Sequence, residues 1–469
     1  MPKDNFILLS DAYKTTHWKQ YPKDTRIVYS YLESRGGQFD ETLQFGLQAI
    51  IKQHFEGVVL EQWMIDDADE ELQEVFGTCT YFNRAGWQRL LDKHGGKLPL
   101  RIKAIDEGTW VPKHNALVTI ENTDEEFPWL TNFVESIFLH FWYPTTVATL
   151  SGKIRQLIQG FADKSSDNGV SPFHLNDFGF RGASCLQAAK IGGAAHLVNF
   201  LGTDTLSANT LLREAYNAPR GFGKSVFATE HSTTTIYGKD KEEEAYRHFL
   251  TTCSEGIVSL VSDSYNIWEA IKMFGTTLKD LVLSRGAATG FAKLVVRPDS
   301  GDPVEVSVKV IKLLDEYFGS TTNSKGYKVL HPKVGVIYGD GINYDSIGAI
   351  LDAVTAAGYS TDCIVFGMGG GLLQQVNRDT HKFAFKCSAA LRGTEWIDVY
   401  KQPITDTGKN SKRGRLKVIR TSLGQLATVA KEALPANPDE LHEVFLNGQL
   451  TNPITFEQIR KNAQETQSK

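Results

Sequence analysis

The chain has 469 residues, of which 41% are apolar and 22% charged, with a formal net charge of −5. That length allows about three domains and a core large enough to fold without disulfide or metal staples, while the composition excludes collagen-like structure and general disorder. The mild acidity supplies no global field for nucleic acid or anionic lipid, so any phosphate must be met by local basic groups.

No stretch approaches the ~18 uninterrupted apolar residues of a membrane span. The run Phe6-Ile7-Leu8-Leu9, followed closely by Asp11, is too short for a secretory apolar segment. Neither a membrane nor a nucleic acid is expected as a partner. The five cysteines, Cys79, Cys185, Cys253, Cys363 and Cys387, contain no C-x-x-C pair, and the histidines form no H-E-x-x-H pattern. No disulfide framework or structural zinc is indicated, and a reducing, cytoplasmic location is expected.

Within residues 1–145, strand-like runs (Ile27–Tyr31, Leu100–Ile105, Ala116–Ile120) mix with short helical patterns. The stretch Thr131–Tyr143 is apolar over nearly a whole helical surface and reads as one buried helix. Over residues 146–386 the texture becomes short apolar strands alternating with helices. Strands are expected at Ser259–Val261, Leu281–Ser284, Leu294–Arg297, Val334–Tyr338 and Cys363–Phe366, and helices at Val304–Tyr317 and Tyr344–Ala357. Such alternation predicts βαβ units and a parallel sheet, closed or open. Residues 387–469 return to hairpin character around Lys409, Lys412, Arg413, Arg415, Lys417 and Arg420, with a frayed polar tail after Arg460. The fold expected is α/β: an irregular TIM-like barrel over 146–386, inserted into an α+β domain built from 1–145 and 387–469.

Several expected strands end in polar or glycine-rich motifs, where ligands gather in barrels and open α/β sheets. Gly367-Met368-Gly369-Gly370-Gly371 between a strand and a helix suits close approach of an anion to backbone N–H groups, although it fits no nucleotide fingerprint and also suits a plain turn. Tyr338-Gly339-Asp340-Gly341 offers a carboxylate to a sugar diol, or a simple Asp-Gly turn. Arg297-Pro298-Asp299-Ser300-Gly301 pairs a guanidinium fork with a carboxylate able to hold Mg²⁺ through water, and Val261-Ser262-Asp263-Ser264 adds another carboxylate. Helix capping is the plainer role for either aspartate. Glu230-His231-Ser232 sets a histidine beside an acid, fit for base or nucleophile chemistry or for a structural hydrogen bond. In Asp177-Phe178-Gly179-Phe180-Arg181-Gly182 an aromatic face can stack on a flat ring, or Phe178 can fill the core. Asp11-Ala12-Tyr13 is unspecific by itself. The basic run from Lys409 suits a diphosphate or an ATP tail, or a solvated hairpin face. Asp66-Asp67, followed by Ala68-Asp69-Glu70-Glu71, reads as a solvated helix rather than the acidic pair of a type I phosphoribosyltransferase.

As an ordered set, these motifs, with Leu201-Gly202-Thr203-Asp204-Thr205 and Ser411-Lys412-Arg413-Gly414-Arg415-Leu416, resemble the nicotinamide phosphoribosyltransferase family of the type II phosphoribosyltransferases. The resemblance runs from Asn5-Phe6-Ile7-Leu8-Leu9 to Phe456-Glu457-Gln458-Ile459-Arg460. It implies transfer of phosphoribosyl from phosphoribosyl diphosphate to nicotinamide in NAD salvage, with Mg²⁺ and with ATP hydrolysis coupled through a phosphohistidine. It also implies a homodimer with shared active sites. Carried over, Phe178 and the partner subunit's Tyr13, with Asp11 nearby, would hold the pyridine ring. Arg297 and Asp204 would bind its carboxamide, and His231 beside Glu230 would be phosphorylated. Arg181, Asp299, Gly339, Asp340, Gly369 and Gly370 would meet the ribose phosphate side. Arg35, Arg378, Lys386, Lys401, Lys412, Arg413 and Arg415 would meet diphosphate or ATP, and Asp263 and Asp299 would hold Mg²⁺. The family pattern often has Tyr where Phe180 stands and Ser where Met368 stands, so two hydroxyls near the ligand entrance are missing. Asp204 would attract an amide and repel a carboxylate, which favours nicotinamide over the rival base nicotinate. A non-catalytic binding or signalling protein on the same scaffold, and a sugar-phosphate aldolase or isomerase, are the remaining readings. The aldolase or isomerase would need a Lys or Glu base at a strand end, and none stands out.

Overall fold

The computed structural model describes residues 4–78, 80–405, 410–434 and 436–467; Cys79 and Lys409 lie outside them. The chain divides into two compact units, one of Met1–Thr149, Leu211–Ala218 and Asn377–Lys469, the other of Leu150–Thr210 and Pro219–Val376. The division differs from a cut at residue 386, which would fall inside the strand Ala384–Arg392. That strand pairs with Thr25–Glu33 along its length, with Tyr31 opposite Lys386. No helix among the described residues is long and apolar enough to cross a membrane.

The first unit is built on a seven-stranded sheet in the order Glu395–Asp398, Ala384–Arg392, Thr25–Glu33, Ala116–Asn122, Leu100–Ala104, His442–Leu446, Gln449–Leu450. All of its pairings are antiparallel. Thr25–Glu33 is rich in β-branched and aromatic residues and is buried along its last six positions, as a central strand should be. The expected helix over 131–143 is broken into Leu130–Phe133, Glu135–Leu139 and the start of Trp142–Ser165. A straight helix could not turn its whole apolar surface to one core. The bends at Val134 and His140 let Phe133, Phe138 and Phe141 all become buried. As far as Gln467, the tail after Arg460 is not frayed either. Phe456–Gln467 is a helix whose Phe456, Ile459 and Ala463 are buried at helical spacing. Asn462 Nδ2 donates to the Glu107 carbonyl at 2.9 Å, which fixes the helix against the loop before strand Trp110–Pro112.

Glu107 is itself a buried joint of this unit. Its carboxylate accepts from Gly46 N and Gln48 N, both at 2.7 Å, and from the Tyr216 hydroxyl at 2.9 Å. It thereby satisfies the first amides of helix Leu47–His54, where Gly46 has no side chain to do so. It also ties the 211–218 segment into the unit, where Tyr216 stacks on Phe45. Burial pushes the Glu107 carboxyl up to about 7, against the pull of these three donors.

The second unit carries a seven-stranded parallel sheet in the order Gly202–Thr203, Leu175–Asp177, Ile364–Met368, Val334–Tyr338, Ala292–Arg297, Gly256–Val261, Phe227–Ala228. An isolated parallel bridge, Gly202–Lys224, joins the first strand to the chain leading into the last. Helices Leu186–His196, Ile267–Gly275, Pro303–Phe318 and Tyr344–Ala356 lie between strands in the chain. Asp302 caps the third of these by accepting from Val304 N and Glu305 N, and Pro303 opens its first turn. Asn343 and Ser346 form a capping box at the fourth. Leu281–Ser284, expected as a strand, belongs to the helix Lys279–Ser284. A four-residue apolar run has no period that distinguishes the two. Because the sheet is parallel, every strand delivers its carboxyl end to the same edge.

Two stability predictions follow from the first unit. Ile459, wholly buried in the terminal helix, should cost about 2–5 kcal/mol when cut to Ala, read as a lower urea midpoint. The folded-state Glu107 carboxyl lies above its ordinary value of 4.5. Its contribution is therefore complete below that value and is lost as pH rises through about 7. Glu107→Gln should accordingly flatten the decline of the urea midpoint between about pH 5 and about pH 8.

Candidate active site

At the common edge of the parallel sheet, the strand ends of the second unit converge. Asp177 closes strand Leu175–Asp177 and is wholly buried, with its carboxylate accepting from Gly179 N at 2.8 Å and Thr203 Oγ1 at 3.0 Å. Burial raises its pKa, and these donors oppose the shift. Asp177 is therefore a structural acid that fixes the turn after it. On that turn the Phe178 ring lies over two glycine strand ends. A Cβ on Gly367 would stand 2.0 Å from Phe178 Cε2, and one on Gly339 would stand 3.4 Å from the same atom. Glycine at 367 is thus the condition for Phe178 to lie across the sheet edge. The next residues pack on the glycine loop: a Cβ on Gly182 would meet Gly370 Cα and N at 3.4 Å, and one on Gly179 would meet the Gly369 carbonyl at 2.9 Å. Arg181 is exposed here with no hydrogen-bond partner among the described residues.

His231 opens the short helix His231–Thr235. Its Nδ1 lies 3.2 Å from Ser264 Oγ, while Nε2 faces Asp299 Oδ2 at 3.5 Å and Asp263 Oδ1 at 3.7 Å. Asp263 is the ordered member of this acid pair. Its Oδ2 accepts from Asp299 N at 3.1 Å and from Ser300 Oγ, while its Oδ1 is buried without a hydrogen-bond partner. Neither aspartate caps a helix through its side chain among the described residues; in the 297–305 segment that role falls to Asp302. Glu230 is exposed, and its carboxylate is taken by Ser232 Oγ rather than by His231. Arg297 Nη2 donates to the Thr229 carbonyl at 2.9 Å, and its buried Nε has no partner. Asp204, exposed at the end of strand Gly202–Thr203, accepts from Ser225 Oγ. Asp340 is exposed after strand Val334–Tyr338. Phe180 is exposed and Met368 is buried, so only the first of the two family departures faces solvent.

The remaining candidates lie in the first unit. Lys412 and Arg35 both bind the buried carboxylate of Glu33, Arg35 through Nε at 2.8 Å, with Arg35 Nη2 buried and unpartnered. Lys412 N also donates to the Tyr31 hydroxyl at 2.8 Å. Lys386 has its pKa lowered, first by burial and then by repulsion from Arg35, Lys401 and Lys14, opposed by Glu135. Lys401 is held to Ser411, its carbonyl accepting from Ser411 N at 3.1 Å and its N–H donating to Ser411 Oγ at 2.9 Å. Arg35 and Lys412 thus share one buried acid, while Lys386 lies near enough to Arg35 and Lys401 to feel their charge. Arg413 and Arg415 lie over the Tyr400 and Trp396 rings, at 5.3 and 4.8 Å. Arg378 is exposed and pairs with its neighbour Asp379. Asp11 accepts from Ser136 Oγ at 2.7 Å, and Tyr13 is 56% exposed. Glu33, Ser225, Ser264 and Ser300 escaped the sequence reading. Only Ser264 and Ser300 stood in motifs that could have pointed to them.

Comparison with known proteins identifies the family. Residues 173–449 match the nicotinate phosphoribosyltransferase (NAPRTase) family, and residues 5–102 match the nicotinamide phosphoribosyltransferase N-terminal domain. The chain is 49% identical to a nicotinamide phosphoribosyltransferase of Xanthomonas campestris, over 98% of each chain. It is 34% identical to one of Acinetobacter baylyi, over 98% of this chain and 97% of that protein. Among solved structures, nicotinate-nucleotide pyrophosphorylase from Pyrococcus furiosus shares the fold with a TM-score of 0.62 at 15% identity, covering 100% of this chain and 97% of that one. Human nicotinic acid phosphoribosyltransferase does so with a TM-score of 0.57 at 14% identity, covering 100% and 94%. The chain belongs to the nicotinate phosphoribosyltransferase family and carries the N-terminal domain of the nicotinamide phosphoribosyltransferases.

Proposed function

We infer that this enzyme transfers the phosphoribosyl group of phosphoribosyl diphosphate to nicotinamide, giving nicotinamide mononucleotide and diphosphate for NAD salvage. The observation that carries the choice of base is Asp204. It is an exposed carboxylate at a strand end in the unit that also holds Phe178, and its side chain caps no helix among the described residues. An anion there accepts a carboxamide N–H and repels the carboxylate of nicotinate. Arg297, fixed through Nη2 to the Thr229 carbonyl, supplies the guanidinium for the amide oxygen. Phe178 stacks on the pyridine ring, with Tyr13 of a second copy on its other face in a homodimer with shared sites. Attack by the ring nitrogen at the anomeric carbon breaks the bond to diphosphate through an oxocarbenium-like state. The protein's work is to align the ring and to stabilise the departing charge.

Among the described residues no group of three or more His, Cys, Asp or Glu could hold a metal ion. Asp263, with its buried unpartnered Oδ1, and Asp299 fit Mg²⁺, which binds through one or two carboxylates with water and substrate phosphates completing the shell. Bound there, Mg²⁺ would neutralise phosphate charge. Arg181, Asp340 and the Gly369–Gly370 backbone suit the ribose phosphate, and the cluster of Arg35, Lys386, Lys401 and Lys412 suits diphosphate or ATP. His231 is assigned as the residue phosphorylated by ATP. A proton on Nε2, toward Asp263 and Asp299, leaves the Nδ1 lone pair to attack the γ-phosphorus as the bond to ADP breaks. We also read the parallel sheet as an irregular TIM-like barrel, on the strength of the Gly202–Lys224 bridge. A cytoplasmic location fits four described cysteines that are all free.

The decisive assay supplies purified enzyme with phosphoribosyl diphosphate and each base in turn. Higher kcat/KM with nicotinamide is expected, and a preference for nicotinate would overturn the reading. Asp204→Asn should narrow that preference by on the order of tenfold. With γ-labelled ATP, an acid-labile, alkali-stable label should appear on the wild type and not on His231→Ala; its absence from the wild type would remove the phosphohistidine.

A further inference from the structure

Asp204 follows strand Gly202–Thr203 and lies one residue outside the N-cap position of helix Leu206–Tyr216, which Thr205 holds. The cap-like bond runs from Thr205 N to Thr203 Oγ1 at 3.0 Å, and the one hydrogen bond to the Asp204 side chain among the described residues comes from Ser225 Oγ. Both backbones are fixed independently of that contact. Asp204 N donates to the Asp177 carbonyl at 2.9 Å, while Thr203 N donates to Lys224 O at 2.8 Å and Lys224 N to Leu201 O at 2.7 Å. The segment bearing Ser225 is therefore pinned beside the strand that ends at Asp204.

We propose that Ser225 is a positioning residue for base specificity: its hydroxyl holds Asp204 Oδ1 and leaves Oδ2 as the acceptor for the carboxamide of the incoming base. This rests on the assignment of Asp204 as the carboxamide acceptor. An exposed carboxylate with no fixed partner rotates and offers either oxygen to water. One anchored by a hydroxyl presents a single acceptor in a set direction, so less ordering remains to be done when the base binds. Held in that direction, the carboxylate presents an acceptor to an amide N–H and its charge to a nicotinate carboxylate. The alcohol does no chemistry on the reacting atoms, so its loss is felt in base binding and in the choice between bases.

The test is steady-state kinetics of Ser225→Ala, Ser225→Thr, Asp204→Asn and the Ser225→Ala/Asp204→Asn pair with both bases. Ser225→Ala should raise KM for nicotinamide about tenfold, equivalent to ~1.4 kcal/mol, with kcat within about twofold. It should also lower the ratio of kcat/KM for nicotinamide over nicotinate by a similar factor, and Ser225→Thr, which keeps the hydroxyl, should restore both. In the Asp204→Asn background the serine change should add little, because the two side chains act as one unit. An unchanged ratio in Ser225→Ala while Asp204→Asn narrows it would overturn the role of Ser225 alone. An unchanged ratio in Asp204→Asn would overturn the assignment of Asp204 beneath it. A fall in kcat at constant KM would mark Ser225 as a structural residue and also defeat the proposal.

Discussion

One buried carboxylate organises the strand ends of the second unit. Asp177 accepts from the amide of the turn that carries Phe178 and from the hydroxyl of Thr203, whose oxygen in turn receives the amide of Thr205. The aromatic platform and the strand end bearing Asp204 are thus bound to the same acid. The acid is stable in a dry place because its donors are local and fixed, and leaving them unmade would cost about 1–3 kcal/mol each. Glycine completes the arrangement. Gly367 leaves the volume that the Phe178 ring occupies, so an aromatic face sits across the ends of two neighbouring strands.

Charge in this protein is sorted rather than balanced. The second unit collects acids around the histidine, with Asp263 and Asp299 facing His231. The first unit sets Arg35 and Lys412 on the buried Glu33, with Lys386 and Lys401 adding positive charge nearby. Glu33 offsets the charges of Arg35 and Lys412, and Arg35 Nη2 is buried beside it without a hydrogen-bond partner. A net charge of −5 spread over 469 residues describes neither region.

Much of the second unit could be read from the sequence. The strand Val334–Tyr338 and the helices Pro303–Phe318 and Tyr344–Ala356 carry clean periodicity and their own caps. The polar motifs could be placed because parallel strands deliver their carboxyl ends together. What escaped was set by distant partners. Glu33 ends an apolar strand, and Lys412, its ion-pair partner, is far along the chain. Ser225 meets Asp204 only because an isolated bridge brings the 224–228 segment alongside Gly202. The terminal helix is a different case. Phe456, Ile459 and Ala463 were spaced for one face, and their polar neighbours disguised it.

The central strand of the first unit also constrains how the chain can be made. Thr25–Glu33 lies between Ala116–Asn122 and Ala384–Arg392. During synthesis its second neighbour emerges roughly 350 residues after it, on the order of 20–70 s later at ordinary elongation rates. Throughout that interval an apolar strand has one edge of unpaired amides and carbonyls, the template on which chains pair with one another. The second unit, contiguous but for eight residues, is complete by Val376 and can fold first. The sheet that closes last is the one begun first, so the newborn chain depends on prompt closure or on chaperones to keep that edge covered.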